Sequence, residues 1–245
     1  MRFSRWHAHG NVYLLAEQAG LTAERVRAEV GDADGILEVV ATGPDSAEIV
    51  IWNPDGSTAE LSGNGTRIAA RWLARETGAD VVRIRVGPRE VVARMLAGDE
   101  VEQDLGEVEV FERERVAGLD VTAVSVGNPH AVVEGDPADL PLIGPLLETH
   151  PRYPNRTNVQ VARRLGPREI EARVWERGAG ETLSSGTSSV AAAAAAVENG
   201  WCESPVTVHL AGGDLEVELD ADGRARLTGP AEEICRVELS PELTL

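Results

Sequence analysis

Apolar and polar residues alternate with a period of two along most of the chain. Successive side chains of a strand point to opposite faces, so this alternation predicts half-buried strands of the antiparallel type. Turn-forming residues separate several of the segments, as in Pro54-Asp55-Gly56. Examples of the predicted strands are Ala47–Asn53, Val81–Val86, Glu107–Val110, Val121–Val126, Glu169–Trp175, Val206–Leu210 and Asp214–Leu219.

Helical signals are confined to four segments. In the first, Thr22 is a suitable N-cap and Gly31 a stop, and Gly200 follows the last, which is rich in alanine. The pattern therefore predicts an α+β fold in which strands outnumber helices. The predicted helices are Thr22–Val30, Asn64–Thr77, Asp139–Thr149 and Thr187–Asn199.

Two of the predicted helices begin alike. One start reads Ser62-Gly63-Asn64-Gly65-Thr66, and the other reads Ser185-Gly186-Thr187-Ser188-Ser189. About half the chain separates the two serines, and predicted strands precede both helices. The repeat suggests two similar domains, each with a hydroxyl at a helix N-terminus. The alternative is that two Ser-Gly starts arose by chance.

Composition and charge narrow the function. The 245 residues are 42% hydrophobic and 26% charged, which is typical of one large or two ordinary globular domains. The net charge of −18 repels phosphate backbones and anionic lipids, so we expect neither a nucleic-acid nor a membrane partner. The sequence has no apolar segment of membrane-spanning length and no signal peptide, and a cytoplasmic location is expected. The two cysteines and five histidines lack metal-site spacing, so no metal is expected.

The glycine-containing helix starts are candidate anion sites. Gly63-Asn64 and Gly186-Thr187 leave backbone N–H groups free at the positive end of a helix dipole, which favours a carboxylate or phosphate. An ordinary N-cap is the alternative for either turn alone. The sequence has no GxxxxGK[ST] motif, which disfavours a nucleotide P-loop.

Other polar residues are typical of a zwitterion pocket. Glu176 and Arg177 are suited to the ammonium and carboxylate of an amino acid, although a surface ion pair is the alternative. Asn128 and His130 end an apolar strand, where a capped turn is the alternative. Ser62 and Ser185 are nucleophile candidates without a GxSxG elbow. Further asparagines at or beside strand ends are Asn11, Asn53 and Asn158.

Several motifs occur in an order that is far more specific than any one of them. They are His9-Gly10-Asn11, Asp34-Gly35-Ile36-Leu37, Asn53-Pro54-Asp55-Gly56-Ser57, Ser62-Gly63-Asn64-Gly65-Thr66-Arg67, Val126-Gly127-Asn128-Pro129-His130, Thr157-Asn158-Val159, and Glu176-Arg177-Gly178-Ala179-Gly180-Glu181-Thr182 running into Ser185-Gly186-Thr187. With these residues the chain resembles the diaminopimelate epimerase family along nearly its whole length.

The resemblance implies two pseudo-symmetric domains, each a mostly antiparallel sheet wrapped around a central helix, with the active site in the cleft between them. The expected domain ranges are 1–117 and 118–236, with a tail at 237–245 that packs back on the first. It also implies a cofactor-free homodimer that interconverts LL- and meso-diaminopimelate for lysine and peptidoglycan synthesis.

The resemblance further implies roles for individual residues. Gly63, Asn64, Gly186 and Thr187 match the helix starts that bind the reacting carboxylate. His130 and Glu176 match the groups that accompany two catalytic cysteines. The positions that match substrate-binding residues are Asn11, Asn53, Asn128, Asn158, Glu176 and Arg177.

Serine stands at both positions where the family has its catalytic cysteines, Ser62 and Ser185. A thiol has a pKa of about 8.5, whereas a serine hydroxyl is hard to ionise without a strong partner. Three hypotheses follow. The first is an epimerase with altered bases, in which His130 serves one face of the carbon and Glu176 the other, directly or through Ser62 and Ser185. The others are a silent homologue or Cys-to-Ser variant that only binds the amino acid, and an isomerase of a smaller amino acid. The third is disfavoured because Asn53, Asn158 and Arg177 match contacts to a second amino-acid head group.

Overall fold

A computed structural model describes residues 2–238, which separate into two compact units. The first unit comprises the chain as far as Gln103 and again from Gly229, and the second comprises Asp104–Thr228. Two strands, β8 (Glu100–Glu107) and β18 (Arg224–Pro230), contain the points where the chain passes from one unit to the other. Within the described residues, no helix is long and apolar enough to cross a membrane.

The first unit contains eight further strands and two helices. Their order is β1 (Arg2–Ala8), β2 (Asn11–Ala16), α1 (Ala23–Glu29), β3 (Gly35–Thr42), β4 (Ser46–Trp52), β5 (Thr58–Ala59), α2 (Gly63–Thr77), β6 (Val81–Val86), β7 (Arg89–Met95) and, near the end of the chain, β19 (Glu232–Glu238). Strand β19 pairs with β1, which brings the last described residues into this unit.

The second unit continues with nine strands and two α-helices. In chain order these are β9 (Glu109–Val110), β10 (Glu114–Val116), β11 (Leu119–Ser125), β12 (Pro129–Glu134), α3 (Leu140–Glu148), β13 (Asn158–Gly166), β14 (Glu169–Glu176), β15 (Gly180–Thr182), α4 (Gly186–Glu198), β16 (Val206–Leu210) and β17 (Gly213–Leu219). A short 3₁₀ turn, Pro137–Asp139, precedes α3.

The two units have the same strand pairing. In the first, β1 and β2 are antiparallel, β2 and β3 parallel, β3 and β4 antiparallel, β4 and β6 parallel, and β6 and β7 antiparallel. The second repeats this order with β11, β12, β13, β14, β16 and β17. Helices α1 and α3 occupy the same crossover, and α2 and α4 each precede the strand that pairs in parallel with β4 or β14. This repeat confirms the duplication suggested by the paired Ser-Gly starts.

Each unit packs its sheet around one central helix. Helix α2 contacts β1, β2, β4, β6 and β7, and α4 contacts the strands β11–β14, β16 and β17. Ile68 and Leu73 are fully buried on α2, and burial of such a side chain contributes about 1.5–3 kcal/mol. The alanine run 191–196 of α4 is also buried, so short side chains let the strands approach this helix closely. The predicted α+β class and wrapped-sheet architecture are confirmed.

The predicted elements largely coincide with the observed ones. All four α-helices start and end within two residues of their predicted bounds, with Pro145 inside α3. The alternating segments all lie on strands, although the one predicted at 107–110 is reduced to the two-residue β9, because Glu107 belongs to β8.

The units divide the chain at points other than the predicted 1–117 and 118–236. Residues 104–117 belong to the second unit because β9 and β10 both pair with β11. Residues 229–236 belong to the first because β19 pairs with β1. Of the predicted tail 237–245, residues 239–245 lie outside the described residues.

Candidate active site

Helix α2 begins at a serine whose hydroxyl serves as its cap. Ser62 has an extended backbone, and its Oγ accepts a hydrogen bond from the N–H of Gly65 at 3.0 Å. A Cβ on Gly65 would lie 2.9 Å from Cδ2 of Leu37 and 3.3 Å from Oγ of Ser62. A larger residue would therefore push against Leu37 and crowd the capping serine, which explains the glycine at this position.

A second hydroxyl lies beside Ser62. The phenol oxygen of Tyr13, on β2, is 3.2 Å from Oγ of Ser62, within hydrogen-bond distance. Sequence reasoning missed Tyr13. The signal was in the repeat, because Tyr13 follows Asn11 by two residues just as His130 follows Asn128. The two residues also correspond in the sheets, since Tyr13 pairs with Gly35 on β3 and His130 with Asn158 on β13.

A buried arginine orients the amide of Asn64 in the first turn of α2. Nη2 of Arg67 donates to Oδ1 of Asn64 at 2.6 Å, and Nδ2 of Asn64 donates to Oδ1 of Asn11 at 3.1 Å. Burial lowers the pKa of Arg67 to about 10, so the guanidinium remains charged at neutral pH. Its positive charge adds to the helix dipole at this N-terminus, and both favour an anionic ligand there.

Helix α4 begins at Ser185 with the same extended backbone but different side-chain contacts. The Ser185 hydroxyl makes no capping hydrogen bond, and the side chain is 7% exposed. One turn further on, Oγ of Ser189 donates to the Ser185 carbonyl at 2.9 Å, as Oγ1 of Thr66 does to that of Ser62. The backbone arrangement of the two starts is thus shared, and the serine side chains differ.

His130 is a buried, neutral imidazole. Its side chain lies between the amides of Asn128 and Gln160, with Nε2 at 2.9 Å from Oδ1 of Asn128 and Nδ1 at 3.1 Å from Nε2 of Gln160. Because the Gln160 NH₂ only donates, Nδ1 accepts and Nε2–H donates to Asn128. Burial and, to a lesser extent, the cation of Arg177 lower the His130 pKa to about 3.

These contacts form a connected array at the start of α4. Nε2 of Gln160 also donates to Oγ of Ser188 at 3.0 Å, and Nδ2 of Asn128 donates to Oγ1 of Thr187 at 3.4 Å. The array fixes which end of the Asn128 amide faces the helix start. In the first unit, Arg67, Asn64 and Asn11 form the corresponding array. Both arrays join an asparagine to the second residue after the N-cap serine, but their other side chains differ.

Glu176 ends β14, and Arg177 begins the loop that follows it. Oε1 of Glu176 accepts from Oγ1 of Thr182 at 3.1 Å, and the Arg177 N–H donates to Oδ1 of Asn158 at 2.9 Å. Nδ2 of Asn158 in turn donates to the Pro129 carbonyl at 2.9 Å. Asn158 therefore joins this loop to the start of β12 and places Glu176 and Arg177 near Asn128 and His130.

A buried carboxylate holds the other side of the same loop. Oε1 of Glu148, at the end of α3, accepts from the N–H of Gly178 at 2.7 Å, and Oε2 accepts from the Trp175 indole at 2.8 Å. Gly178 and Gly180 have φ angles of 83° and 87°, which a side chain would disfavour. The two glycines that follow Arg177 are thus required by the shape of the loop.

Asn53 lies in a turn of its own. Its Nδ2 donates to Oγ of Ser57 at 2.9 Å, and its backbone N–H donates to the Ser57 carbonyl at 2.8 Å. These contacts are those of a capped turn, the alternative to a substrate contact.

Each unit brings several of the candidate residues together. In the first unit these are Asn11, Tyr13, Ser62 and Asn64, and in the second they are Asn128, His130, Asn158, Arg177 and Thr187. Across residues 2–238 no cluster of three or more His, Cys, Asp or Glu side chains is arranged to hold a metal ion.

Comparison with known proteins places the chain among epimerases. The diaminopimelate epimerase family profile matches residues 122–234. A diaminopimelate epimerase from Pelotomaculum thermopropionicum is 35% identical over 271 aligned positions, which cover 96% of this chain and 97% of the relative. One from Desulfitobacterium hafniense is 39% identical over 228 positions, 81% of this chain and 79% of the relative. The chain belongs to the diaminopimelate epimerase family. The predicted family and its class, the isomerases, are therefore confirmed.

Solved structures share the fold at low identity. A predicted epimerase from Pseudomonas aeruginosa has a TM-score of 0.78 and 18% identity, covering 97% of this chain and 98% of its own. A PhzF-family phenazine biosynthesis protein from Bacillus anthracis has a TM-score of 0.76 and 13% identity, covering 98% and 99%. At such identities the likeness shows the fold alone.

The cysteines of this family member lie away from both helix starts. Cys202 follows α4, is buried, and has its Sγ 3.5 Å from the Gly166 carbonyl, and burial raises the pKa of its thiol. Cys235 is exposed on β19. Neither cysteine replaces the thiols that the resemblance places at positions 62 and 185, where the side chains are hydroxyls.

Proposed function

We propose that this chain interconverts LL- and meso-diaminopimelate by two-base proton transfer at Cα. In this proposal the groups at positions 62 and 185 act on opposite faces of the carbon. The observation that supports this most strongly is the repeated helix start. In both units an N-cap serine comes two residues before a side chain that is hydrogen-bonded to an asparagine from an earlier part of the same unit. A duplicated anion site is suited to a carboxylate whose charge grows as its α-proton leaves.

The helix starts supply the electrostatic part of the proposed reaction. The first N–H groups of α2 and α4 have no acceptor within their helix, and the dipole places partial positive charge on them. We assign Gly63, Asn64, Gly186 and Thr187 to the reacting carboxylate. Asn11 and Asn128, which hydrogen-bond to Asn64 and Thr187, extend each anion site by one polar side chain.

The remaining polar residues are assigned to the rest of the substrate. Glu176 and Arg177 bear opposite charges on a loop fixed by Asn158 and Glu148, so they are suited to an ammonium and a carboxylate. Asn53 is assigned to the distal head group, as the family resemblance implies. Glu176 is also the carboxylate proposed to assist Ser185 as a proton acceptor.

His130 receives a different role from the one expected. Its pKa of about 3 keeps it neutral at physiological pH, and its ring nitrogens contact Asn128 and Gln160. A general base works best with a pKa near the operating pH. We therefore assign His130 to the orientation of Asn128 instead of direct proton transfer.

A second candidate function is binding without turnover. Serine at both positions favours it, because loss of a positioned general base typically costs about 10²–10⁴-fold in rate. Both functions predict that the chain binds diaminopimelate, but only epimerisation predicts exchange of the Cα proton with solvent deuterium. Homodimerisation, which the family resemblance implies, also stays a prediction and is checked by sedimentation equilibrium.

The test combines calorimetry with exchange in D₂O. Binding of LL-diaminopimelate together with deuterium uptake at Cα supports epimerisation, and binding without uptake supports the second function. The double variant Ser62→Cys/Ser185→Cys should raise exchange by about 10²-fold or more, because a thiol at a helix N-terminus ionises readily. Ser46→Cys, which adds a thiol on β4, is the matched control and should change nothing. If neither the parent nor the double variant binds the amino acid, the proposal is wrong.

A further inference from the structure

The phenol of Tyr13 is built into a fixed position beside Ser62. Its side chain is 8% exposed, and its oxygen lies 3.2 Å from Oγ of Ser62 although 49 residues separate the two in sequence. Gly35 on the neighbouring strand makes room for the ring, since a Cβ there would lie 2.7 Å from Cε1 of Tyr13. Sheet register and a glycine therefore hold the phenol against the helix start.

The two hydroxyls differ greatly in acidity. A phenol has an ordinary pKa of about 10, whereas a serine hydroxyl ionises only with a strong partner. Oγ of Ser62 also accepts from the Gly65 N–H, so negative charge on this oxygen has one donor fixed at a helix N-terminus. A hydrogen bond from the phenol would add a second donor and a proton that leaves more easily.

We propose that Tyr13 is the proton-exchange partner of Ser62. This rests on the function proposed above. When the Ser62 O–H gives its proton to the Cα carbanion, Oγ takes the proton of the Tyr13 O–H, and a phenolate remains. In the opposite direction the Tyr13 phenolate takes the Ser62 proton while Oγ takes the proton from Cα. Protonation of the carbanion breaks the O–H bonds of Ser62 and Tyr13 and forms one C–H bond and one O–H bond. The reverse step breaks the C–H bond and the Ser62 O–H bond and forms two O–H bonds, so both steps balance with no further reactant.

The second unit has no such partner at the corresponding position. His130 occupies it, and its ring nitrogens contact Asn128 and Gln160 in place of Ser185. The exchange partner is thus specific to the first unit. It provides that unit with a proton carrier of intermediate acidity where the family's thiol is missing.

The first test is a double-mutant cycle read by deuterium exchange at Cα. Tyr13→Phe keeps the ring and removes only the hydroxyl. It should lower exchange by about 10²-fold in the parent. In the Ser62→Cys background the same change should cost under about threefold, because a thiol near its own pKa needs no partner. Affinity for diaminopimelate, measured by calorimetry, should stay within about twofold in all four proteins.

The second test needs no turnover. The chain has two tyrosines, so the difference in tyrosinate absorbance at 295 nm between the parent and Tyr13→Phe isolates the titration step of Tyr13. Ser62→Ala should move that step to higher pH, because the Ser62 O–H no longer stabilises the phenolate.

The outcomes separate the two proposals. Equal losses from Tyr13→Phe in both backgrounds, or a Tyr13 titration step that Ser62→Ala leaves in place, would overturn the role of Tyr13 alone. A parent that binds diaminopimelate without any exchange would overturn the proposed function, and with it the catalytic use of Tyr13, even if the two hydroxyls titrate together.

Discussion

The starts of α2 and α4 have the same backbone and different side-chain chemistry. At α2 the Ser62 hydroxyl accepts from Gly65 and lies next to the Tyr13 phenol. At α4 the Ser185 hydroxyl makes no capping bond, and the residue corresponding to Tyr13 is a buried histidine directed at amides. Under the proposed function, the duplicated fold preserves two anion sites while the proton-transfer groups beside them diverge, because backbone N–H groups bind the anion.

The largest expected difference lies in the single cysteine variants. Ser185→Cys should raise exchange at Cα by about 10²-fold or more, because Ser185 has no phenol partner. The gain in exchange from Ser62→Cys should be smaller by at least about tenfold, since Tyr13 already supplies a proton to Ser62. Both rates come from deuterium uptake in D₂O at one pH, with Ser46→Cys as the control. Equal gains at the two sites would contradict the contrast between the helix starts.

Buried His130 should make the free energy of unfolding depend on pH. In the first unit, Tyr13 occupies the corresponding position in place of a histidine. The pKa of His130 falls from about 6.5 in the unfolded chain to about 3 in the folded one, so below pH 6.5 the unfolded state binds the extra proton. Stability should therefore decline as pH falls from 6.5 towards 3, and His130 alone should cost about 2 kcal/mol between pH 7 and pH 5.

Urea unfolding at both pH values measures this loss. In His130→Gln the pH-dependent difference should shrink by the same amount, because glutamine does not titrate. An undiminished difference in that variant would mean that other groups carry the pH dependence.

The smallest expected effect concerns helix capping. Ser62→Ala removes a capping acceptor and should lower the free energy of unfolding by about 1 kcal/mol. Ser185→Ala removes no capping bond and should change it by less than half as much. Chemical denaturation of the two variants at pH 7 gives both values, and a larger loss for Ser185→Ala would reverse the assignment of caps.

Local signals predicted the helices and their starts. Capping residues and terminal glycines lie within one turn of the helix end that they determine. Thr22 caps α1 by accepting from the Arg25 N–H through Oγ1, and Gly78 ends α2 with a φ of 76°. Alternation likewise located half-buried strands such as β6 and β16. Strands β3, β12 and β13 were missed because their buried stretches are continuous, and such runs do not alternate.

The site was only partly predictable for a related reason. The two helix starts were predictable because their Ser-Gly sequences are local signals. These starts contain Ser62, Asn64, Ser185 and Thr187. The contacts of Tyr13 with Ser62 and of His130 with Gln160 depend instead on strand register across tens of residues. His130 was expected to transfer protons because an isolated histidine titrates near neutral pH, and only its burial shows that it stays neutral.

The central claim is two-base proton transfer, and the position of deuterium after a single turnover tests it most directly. LL-diaminopimelate is incubated with excess enzyme in D₂O, and substrate and meso product are separated and analysed by mass spectrometry. With one base on each face, the account predicts deuterium at Cα of the product and none in the remaining substrate. Deuterium in recovered substrate at a rate equal to or above product formation would indicate a single base and contradict the account.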